Sequence, residues 1–186
     1  MTGRERAAVG AAAAVGLGVY VLGVRGALTL DLGLGRRVRP LGPLAVRIDA
    51  PREVVFDVIA APYLRRTPRA LDRKLRVLER GQDLVLAAHF TPVGPLVTTT
   101  VETVRFEPPE TVHFRLLRGP VPHVVERFEL REDGGSTELE YHGELGTDLW
   151  VIGRAWGRLV AKKWVETVRD SLDGVKTEAE RRARRR

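Results

Sequence analysis

The chain has no cysteine, one methionine, and aromatic side chains at only 6% of its positions. Without cysteine there is no disulfide framework, no thiol nucleophile and no cysteine-based metal site. The sequence also lacks a Gly-x-Ser-x-Gly motif and a glycine-rich loop that opens a folded helix. Thiol chemistry, serine hydrolysis and phosphate-loop nucleotide binding are therefore not indicated.

The four histidines do not form a metal-binding pattern. His113 and His142 fall on the polar side of alternating segments, His123 lies at a turn edge, and His89 is ambiguous. No two of them have the helical spacing typical of zinc ligands. The sequence predicts neither a metal nor another cofactor.

Charge is unevenly distributed along the 186 residues, whose formal net charge is +7. Much of the excess arginine lies at 36–39 and 181–186, so the part between is close to neutral. A nucleic-acid-binding face is therefore not supported. The basic tail, residues 176–186, could contact anionic lipid or could simply be a solvated terminus.

Residues 7–24 carry no charge and would form a helix of about 27 Å, close to the roughly 30 Å of a bilayer core. We expect residues 1–30 to be a membrane anchor, and the flanking arginines favour a cytoplasmic domain. A cleaved secretory signal and an alanine-rich helix packed on the domain are the two alternatives. Glycine and proline in residues 31–43 predict a linker.

The following hundred residues have the pattern of an antiparallel sheet. In one segment Val112, Phe114 and Leu116 share a parity, while His113 and Arg115 take the other. Such alternation predicts one apolar face and one wet face. Turn-forming clusters separate seven predicted strands, at 44–49, 74–80, 84–91, 96–106, 111–118, 123–131 and 136–145.

Helices are predicted at both ends of this sheet. Pro51 can start a short helix over 51–60, and a second short helix is predicted around 67–73. Residues 148–172 carry apolar side chains at intervals of three or four, which predicts a long amphipathic helix. Thr147 would be its N-cap and Gly174 its C-terminal stop.

This order of elements resembles the SRPBCC or START-related superfamily, which includes polyketide cyclases/dehydrases, coenzyme-Q-binding proteins and plant pollen-allergen-like carriers. The resemblance rests on VRIDAPREVVFDVIAAP (46–62), VVERFELREDGGSTELEYHGEL (124–145) and the aromatic-bearing helix from Leu149. It implies an α+β helix-grip domain over 44–175, preceded here by the N-terminal apolar helix. In that fold a curved seven-stranded antiparallel sheet wraps a long C-terminal helix, and the cavity between them holds apolar molecules.

Glu126 is the most informative polar residue, because it shares the parity of Val124 and Phe128 and should point to the apolar side. It could bind a polar head group or transfer protons, or it could be a strand-end residue that reaches solvent or pairs with an arginine. Tyr141 could bind a ligand or be a core tyrosine. Gly153 and Gly157 could allow close packing or leave room for a ligand. The predicted ligand-binding residues are Val112, Phe114, Glu126, Phe128, Tyr141, Trp156 and Val160.

We expect a non-enzymatic carrier or sensor of a small hydrophobic ligand that is lipid-, polyketide- or isoprenoid-like. The membrane would be a second partner, through the N-terminal segment. One alternative is a cyclase/dehydrase that uses Glu126 and Tyr141 as acid and base. Another is a ribosome- or protein-interaction module that uses the basic tail. No catalytic residue is assigned for the leading hypothesis.

Overall fold

The structure, a computed structural model, describes residues 3–65, 71 and 73–185. The helix expected around 67–73 therefore lies, apart from residues 71 and 73, outside the described residues. The helices are α1 (Gly3–Val24), α2 (Arg52–Leu64) and α3 (Trp150–Ala183). The strands are β1 (Arg37–Pro40), β2 (Leu44–Ile48), β3 (Leu75–Arg80), β4 (Leu84–Val93), β5 (Leu96–Glu107), β6 (Thr111–Arg118), β7 (His123–Asp133) and β8 (Ser136–Thr147).

All the strands belong to one antiparallel sheet in the order β1-β8-β7-β6-β5-β4-β3, and β2 also pairs with β8. The α+β helix-grip prediction is confirmed, and each of the seven predicted strands is present. The additional strand is β1, which lies inside the segment predicted as a linker and pairs with the end of β8. Its neighbour β2 pairs with the beginning of β8.

The sheet has one buried face, which we call the inner face. Burial alternates along β5, where Thr98, Thr100, Glu102 and Val104 are buried and the residues between them are more exposed. The same alternation runs through the neighbouring strands, as expected for a sheet covered on one side. Together with α2 and α3, the inner face forms the core.

Helix α3 differs from its prediction at both ends. It begins at Trp150 after Leu149, which has a φ of 66° and makes no side-chain cap, so Thr147 is not the N-cap. The helix also continues through Gly174 to Ala183. Glycine alone does not end a helix when later pairs support it, and here Glu178 binds Arg181 on the next turn at 2.7 Å. Most of the predicted basic tail is therefore helical.

Close packing explains both glycines in the first half of α3. A Cβ on Gly153 would lie 1.5 Å from the backbone oxygen of Asp148, and one on Gly157 would lie 3.0 Å from the hydroxyl of Thr147. Each glycine lets α3 approach the end of β8. Of the two interpretations of this pair, the structure therefore supports close packing.

The N-terminal segment is fixed to the sheet at the end of α1. The hydroxyl of Thr98 donates to the carbonyl oxygen of Val24 at 2.6 Å, and the amide of Thr99 donates to that of Arg25 at 3.1 Å. The ring of Tyr20 meets the ring of Trp156 edge-on, with centroids 6.1 Å apart. These contacts agree with the alternative of an alanine-rich helix that packs on the domain.

Asp148 holds the chain between α1 and β1. Its Oδ2 accepts hydrogen bonds from the amides of Leu32 and Gly33 at 2.6 and 2.7 Å. Its Oδ1 accepts one from Nε of Arg36 at 2.7 Å. The hydrogen bond from Arg36 lowers the pKa of Asp148, although burial opposes it.

The main correction concerns the expected membrane anchor. Within the part of the chain that the structure describes, no helix is long and apolar enough to cross a bilayer. Alanine and glycine dominate α1, and they supply less apolar surface than the leucine and isoleucine of strong membrane spans. The predictions of a transmembrane N-terminal helix and of a membrane-anchored location are therefore wrong.

Replacing each of two glycines of α3 by alanine should change the free energy of unfolding in opposite directions. Gly153→Ala should lower the free energy of unfolding by about 3 kcal/mol, because the new Cβ meets backbone that cannot move aside. Gly174→Ala should raise it by about 0.5–1 kcal/mol, since its Cβ would meet no atom within 4 Å and alanine favours helix. Urea unfolding of the two variants and the wild type measures both, and equal effects would contradict this packing.

Asp148→Asn should loosen the segment between α1 and β1. We expect a loss of about 3 kcal/mol in the free energy of unfolding, because the donors of this segment lose a charged acceptor whose side chain is only 1% exposed. Asp31→Asn is the matched control, since the Asp31 side chain is 61% exposed, and it should cost less than about 1 kcal/mol. Thermal unfolding and tryptic cleavage at Arg36 report the change, and equal cleavage of both variants would contradict it.

Candidate functional site

Glu126 lies at the centre of the inner face, on β7, and is 7% exposed. Its Oε1 accepts two hydrogen bonds, from the hydroxyl of Tyr141 at 2.5 Å and from Nε1 of Trp164 at 2.6 Å. Tyr141 stands on the adjacent β8 and Trp164 on α3. Among the described residues, none donates a hydrogen bond to Oε2 of Glu126. One oxygen of the carboxyl is therefore saturated and the other is free.

Burial and the nearby charge of Glu102 raise the pKa of Glu126 from 4.5 to about 7, although the bonds from Tyr141 and Trp164 oppose the shift. Near neutral pH the group is thus present in both protonation states. When it is neutral, its proton belongs on Oε2, because Oε1 already accepts two donors. Oε2 can then donate a hydrogen bond below this pKa and accept one above it.

A second polar group, which we call the Tyr63 relay, consists of Tyr63, His89 and Glu102. The hydroxyl of Tyr63 on α2 lies 2.9 Å from Nε2 of His89 on β4. Nδ1 of the same imidazole lies 3.2 Å from the carboxylate of Glu102 on β5. Burial opposes charge on both partners, but their mutual attraction raises the pKa of His89 and lowers that of Glu102.

A series of ring contacts connects the two polar groups. Phe114 packs on Tyr63 and on Phe128, with centroid distances of 6.0 and 5.6 Å. Phe128 in turn packs on Tyr141 at 5.3 Å. Glu126 and the Tyr63 relay therefore lie on one continuous aromatic surface, and they form a single candidate site.

A surface depression of about 260 Å³ borders this site. Phe106 forms part of its wall and packs on Tyr63, with ring centroids 5.9 Å apart. The depression is therefore next to the Tyr63 relay and further from Glu126. Its lining residues are Leu64, Gly81, Gln82, Asp83, Leu84, Val85, Arg105 and Phe106.

The sequence profile of one family, described as polyketide cyclase/dehydrase and lipid transport, matches residues 44–180. The chain belongs to this family. Its membership confirms the predicted SRPBCC superfamily, and the family supports a fold for hydrophobic ligands. A search of the curated proteins finds no significant match.

Solved structures show the same fold at low sequence identity. The Zhui aromatase/cyclase from Streptomyces sp. R1128 has a TM-score of 0.63 at 22% identity, covering 78% of this chain and 96% of its own. TTHA0849 from Thermus thermophilus has a TM-score of 0.60 at 16% identity, covering 77% and 97%. Norcoclaurine synthase from Thalictrum flavum has a TM-score of 0.53 at 11% identity, covering 70% and 85%.

Several of the residues predicted to bind ligand do come together. Phe114, Glu126, Phe128 and Tyr141 form one group, and Val112 pairs with Phe128 across the strands. Val160 packs against the core. Trp156 also packs against the core, and in addition its Nε1 donates to the carbonyl oxygen of Pro120 at 2.7 Å and its ring meets α1. Their role in binding stays a prediction.

The sequence reasoning missed Tyr63, His89 and Glu102 as site residues and gave Trp164 no polar role. The parity of Glu102 with Thr100 and Val104 was a usable signal, because it places a second carboxylate on the inner face. No local pattern could show that Tyr63 reaches His89, since that contact depends on how α2 packs across the sheet.

Among the described residues, one group has metal-ligand atoms close together: Glu129, Glu140 and His142, on the opposite face of the sheet. Arg131 binds Glu129 at 2.9 Å and Glu140 at 3.4 Å. Arginine therefore already neutralises these carboxylates, and the group is better described as an ion-pair network.

Glu126 should make stability depend on pH. Because its folded pKa is raised, its neutral form supports the fold fully below about pH 4.5, and this support is lost as pH rises to about 7. The loss is about 3 kcal/mol by linkage. Glu126→Gln should remove this part of the pH dependence in urea unfolding measured across that range.

Glu129→Gln is the matched control, on the same strand but the outer face. The hydrogen bond from Arg127 lowers the pKa of Glu129, so its contribution is present above its ordinary pKa and lost as pH falls through the folded one. In Glu129→Gln, the free energy of unfolding should become less dependent on pH only on the acidic side of the profile. A Glu126→Gln profile identical to that of the wild type would contradict the assignment.

Proposed function

We propose that the protein binds a small, mainly hydrophobic ligand with at least one polar oxygen, between the inner face of the sheet and α3. The observation that carries this proposal is the buried Glu126, whose Oε1 is saturated and whose Oε2 has no donor among the described residues. A ligand oxygen placed at Oε2 would complete the hydrogen bonding of this carboxyl.

Stability alone does not account for a carboxyl at this position. Burying an ionisable group without a cation is costly, and within the described chain no lysine or arginine forms an ion pair with Glu126. An apolar or amide side chain of similar size would fill the same space at lower cost. Perturbed carboxyls of this kind, placed among aromatic rings, are typical of binding and catalytic sites.

The charge state of Glu126 decides which ligand oxygen fits. Above about pH 7 its ionised Oε2 accepts a hydrogen bond, so a ligand hydroxyl is favoured. Below that pH the neutral group donates from Oε2, so a ligand carbonyl is favoured. The surrounding Phe114 and Phe128 provide the apolar contacts.

Acid–base catalysis of the cyclase/dehydrase type is the second candidate, and the pKa of about 7 favours it, because a group that titrates near the working pH can both take and return a proton. In this case Oε2 of Glu126 would transfer the proton. Tyr141 would hold the carboxyl in place, because its hydroxyl already donates to Oε1 and burial raises its own pKa.

The remaining predictions gain no comparable support. Carriage or sensing of the ligand, and contact between the tail and anionic lipid, stay predictions. For the protein-interaction alternative, the guanidiniums of Arg181 and Arg182 are bound to Glu178 and are less available to a partner.

Binding of two probes, naphthalene and α-naphthol, tests the proposal. At about pH 8, where Glu126 is ionised, wild type should bind α-naphthol about tenfold more tightly than naphthalene, because the hydroxyl bonds a charged acceptor. Quenching of tryptophan fluorescence and calorimetry give the two dissociation constants.

Glu126→Gln should remove this preference while leaving the affinity for naphthalene unchanged. The amide oxygen can still accept from Tyr141 and Trp164, but the amide nitrogen cannot accept from the ligand. Glu129→Gln, on the outer face, should keep the preference. If wild type binds neither probe, or if Glu126→Gln keeps the tenfold preference, the proposal is wrong.

A further inference from the structure

The Tyr63 relay is not used by the function proposed above, although it lies on the same aromatic surface. Its three side chains come from α2, β4 and β5, so only the folded chain brings them together. Nδ1 of His89 is buried and has no aligned hydrogen bond, although the carboxylate of Glu102 lies 3.2 Å away. The pair is therefore held mainly by charge.

The position of Glu102 decides how His89 meets Tyr63. A carboxylate beside Nδ1 keeps a proton on that nitrogen in both states of the imidazole. In the charged state Nε2 also carries a proton and donates it to the oxygen of Tyr63. The hydroxyl hydrogen of Tyr63 is then free to donate to a third group.

Glu102 favours this charged state, since its attraction outweighs the opposing effect of burial and raises the pKa of His89 above the ordinary value. Tyr63 itself stays protonated, because burial and the two nearby carboxylates raise its pKa. With the imidazole charged, the relay presents a neutral phenol whose oxygen accepts from Nε2 of His89 and whose hydrogen is available.

We infer that Tyr63, oriented by His89 and Glu102, is a second hydrogen-bond donor to the ligand, which therefore carries a carbonyl oxygen for Tyr63 and a second oxygen for Glu126. This inference rests on the proposed function and specifies its ligand class: a flat apolar molecule with oxygens at two separate positions. Glu102 and Glu126 stand on β5 and β7, two strands whose axes are about 10 Å apart.

The placement of Tyr63 supports this role over a purely structural one. Its ring contacts Phe114 on the side of Glu126 and Phe106 on the side of the surface depression. The ring of Tyr63 therefore lies between the aromatic surface of the site and Phe106, which forms part of the wall of the depression. A buried ion pair kept only for stability would gain little over apolar side chains of the same volume.

Matched one-carbonyl and two-carbonyl probes test the inference. The probes are α-tetralone and para-naphthoquinone, which share a bicyclic skeleton, and the absence of cysteine prevents thiol addition to the quinone. At about pH 6, where Glu126 is mostly neutral, wild type should bind the dicarbonyl about tenfold more tightly than the monocarbonyl.

Tyr63→Phe should remove the preference for the dicarbonyl, because it deletes only the hydroxyl. The same variant should keep the preference for α-naphthol over naphthalene, which reports Glu126 alone. If wild type shows neither preference, the proposed function is wrong. If Tyr63→Phe keeps the dicarbonyl preference of the wild type, only this inference is wrong. His89→Gln retains Tyr63 and should weaken the dicarbonyl preference at least threefold. This second variant tests the relay even if Tyr63→Phe does not fold.

A pH profile separates orientation by His89 from simple packing. The titratable groups that face His89 are Tyr63 from α2, Glu102 from β5 and Glu126 from β7. In a Glu126→Gln background, dicarbonyl affinity should fall as pH rises through the pKa of His89. Nε2 of the neutral imidazole then accepts the hydrogen bond from the hydroxyl of Tyr63, which no longer donates to the ligand. A flat profile in that background would refute the relay.

Discussion

The antiparallel hydrogen-bond ladder imposes a two-residue alternation on every strand, and the rest of the molecule follows from that alternation. Once β7 pairs with both β6 and β8, each of its side chains must face either the helices α2 and α3 or solvent. An apolar side chain on the inner parity stabilises the core, whereas a polar one on that parity has to find its partners there. Glu102 and Glu126 are on this parity and are therefore confined to the core.

Ionising two carboxyls in one poorly solvated region costs much free energy, and the surroundings of each carboxyl determine which of the two is ionised. Glu102 faces an imidazole and is held as a carboxylate, while Glu126 has only neutral donors and is driven toward the neutral acid. Pairs of groups whose pKa values are pushed apart in this way are suited to distinct tasks in one site. Here one carboxyl orients a neighbouring donor and the other presents its own free oxygen.

The N-terminal part of the chain shows how a few polar contacts extend a fold beyond its family domain. The family match starts at residue 44, yet the segment before it is fixed by Asp148 at the end of β8 and by Thr98 on β5. Trp156 takes part in this junction through Tyr20 and Pro120. Trp156 therefore serves both the core and the N-terminal segment, and its predicted contact with a ligand stays a prediction.

The strands were predictable because alternation and turn residues are local properties, and the parity of Glu126 followed from them without any knowledge of the fold. The ends of α3 were not predictable, because they depend on the approach of Gly153 to Asp148 and on the pairs of Glu178 with later arginines. The strand inside the expected linker was missed for the same reason, since β1 is held by its pairing with β8.

The sequence by itself determined the order of seven strands and the long helix, the alternation of buried and exposed residues in several strands, and the presence of a carboxyl on the buried face. Only the tertiary structure decided what surrounds that carboxyl: Trp164 from α3, Tyr141 from the next strand, and a second acid–imidazole pair reached through α2. Residue patterns report which face a side chain takes, whereas its partners depend on how distant elements pack, and the pKa of each group depends on those partners.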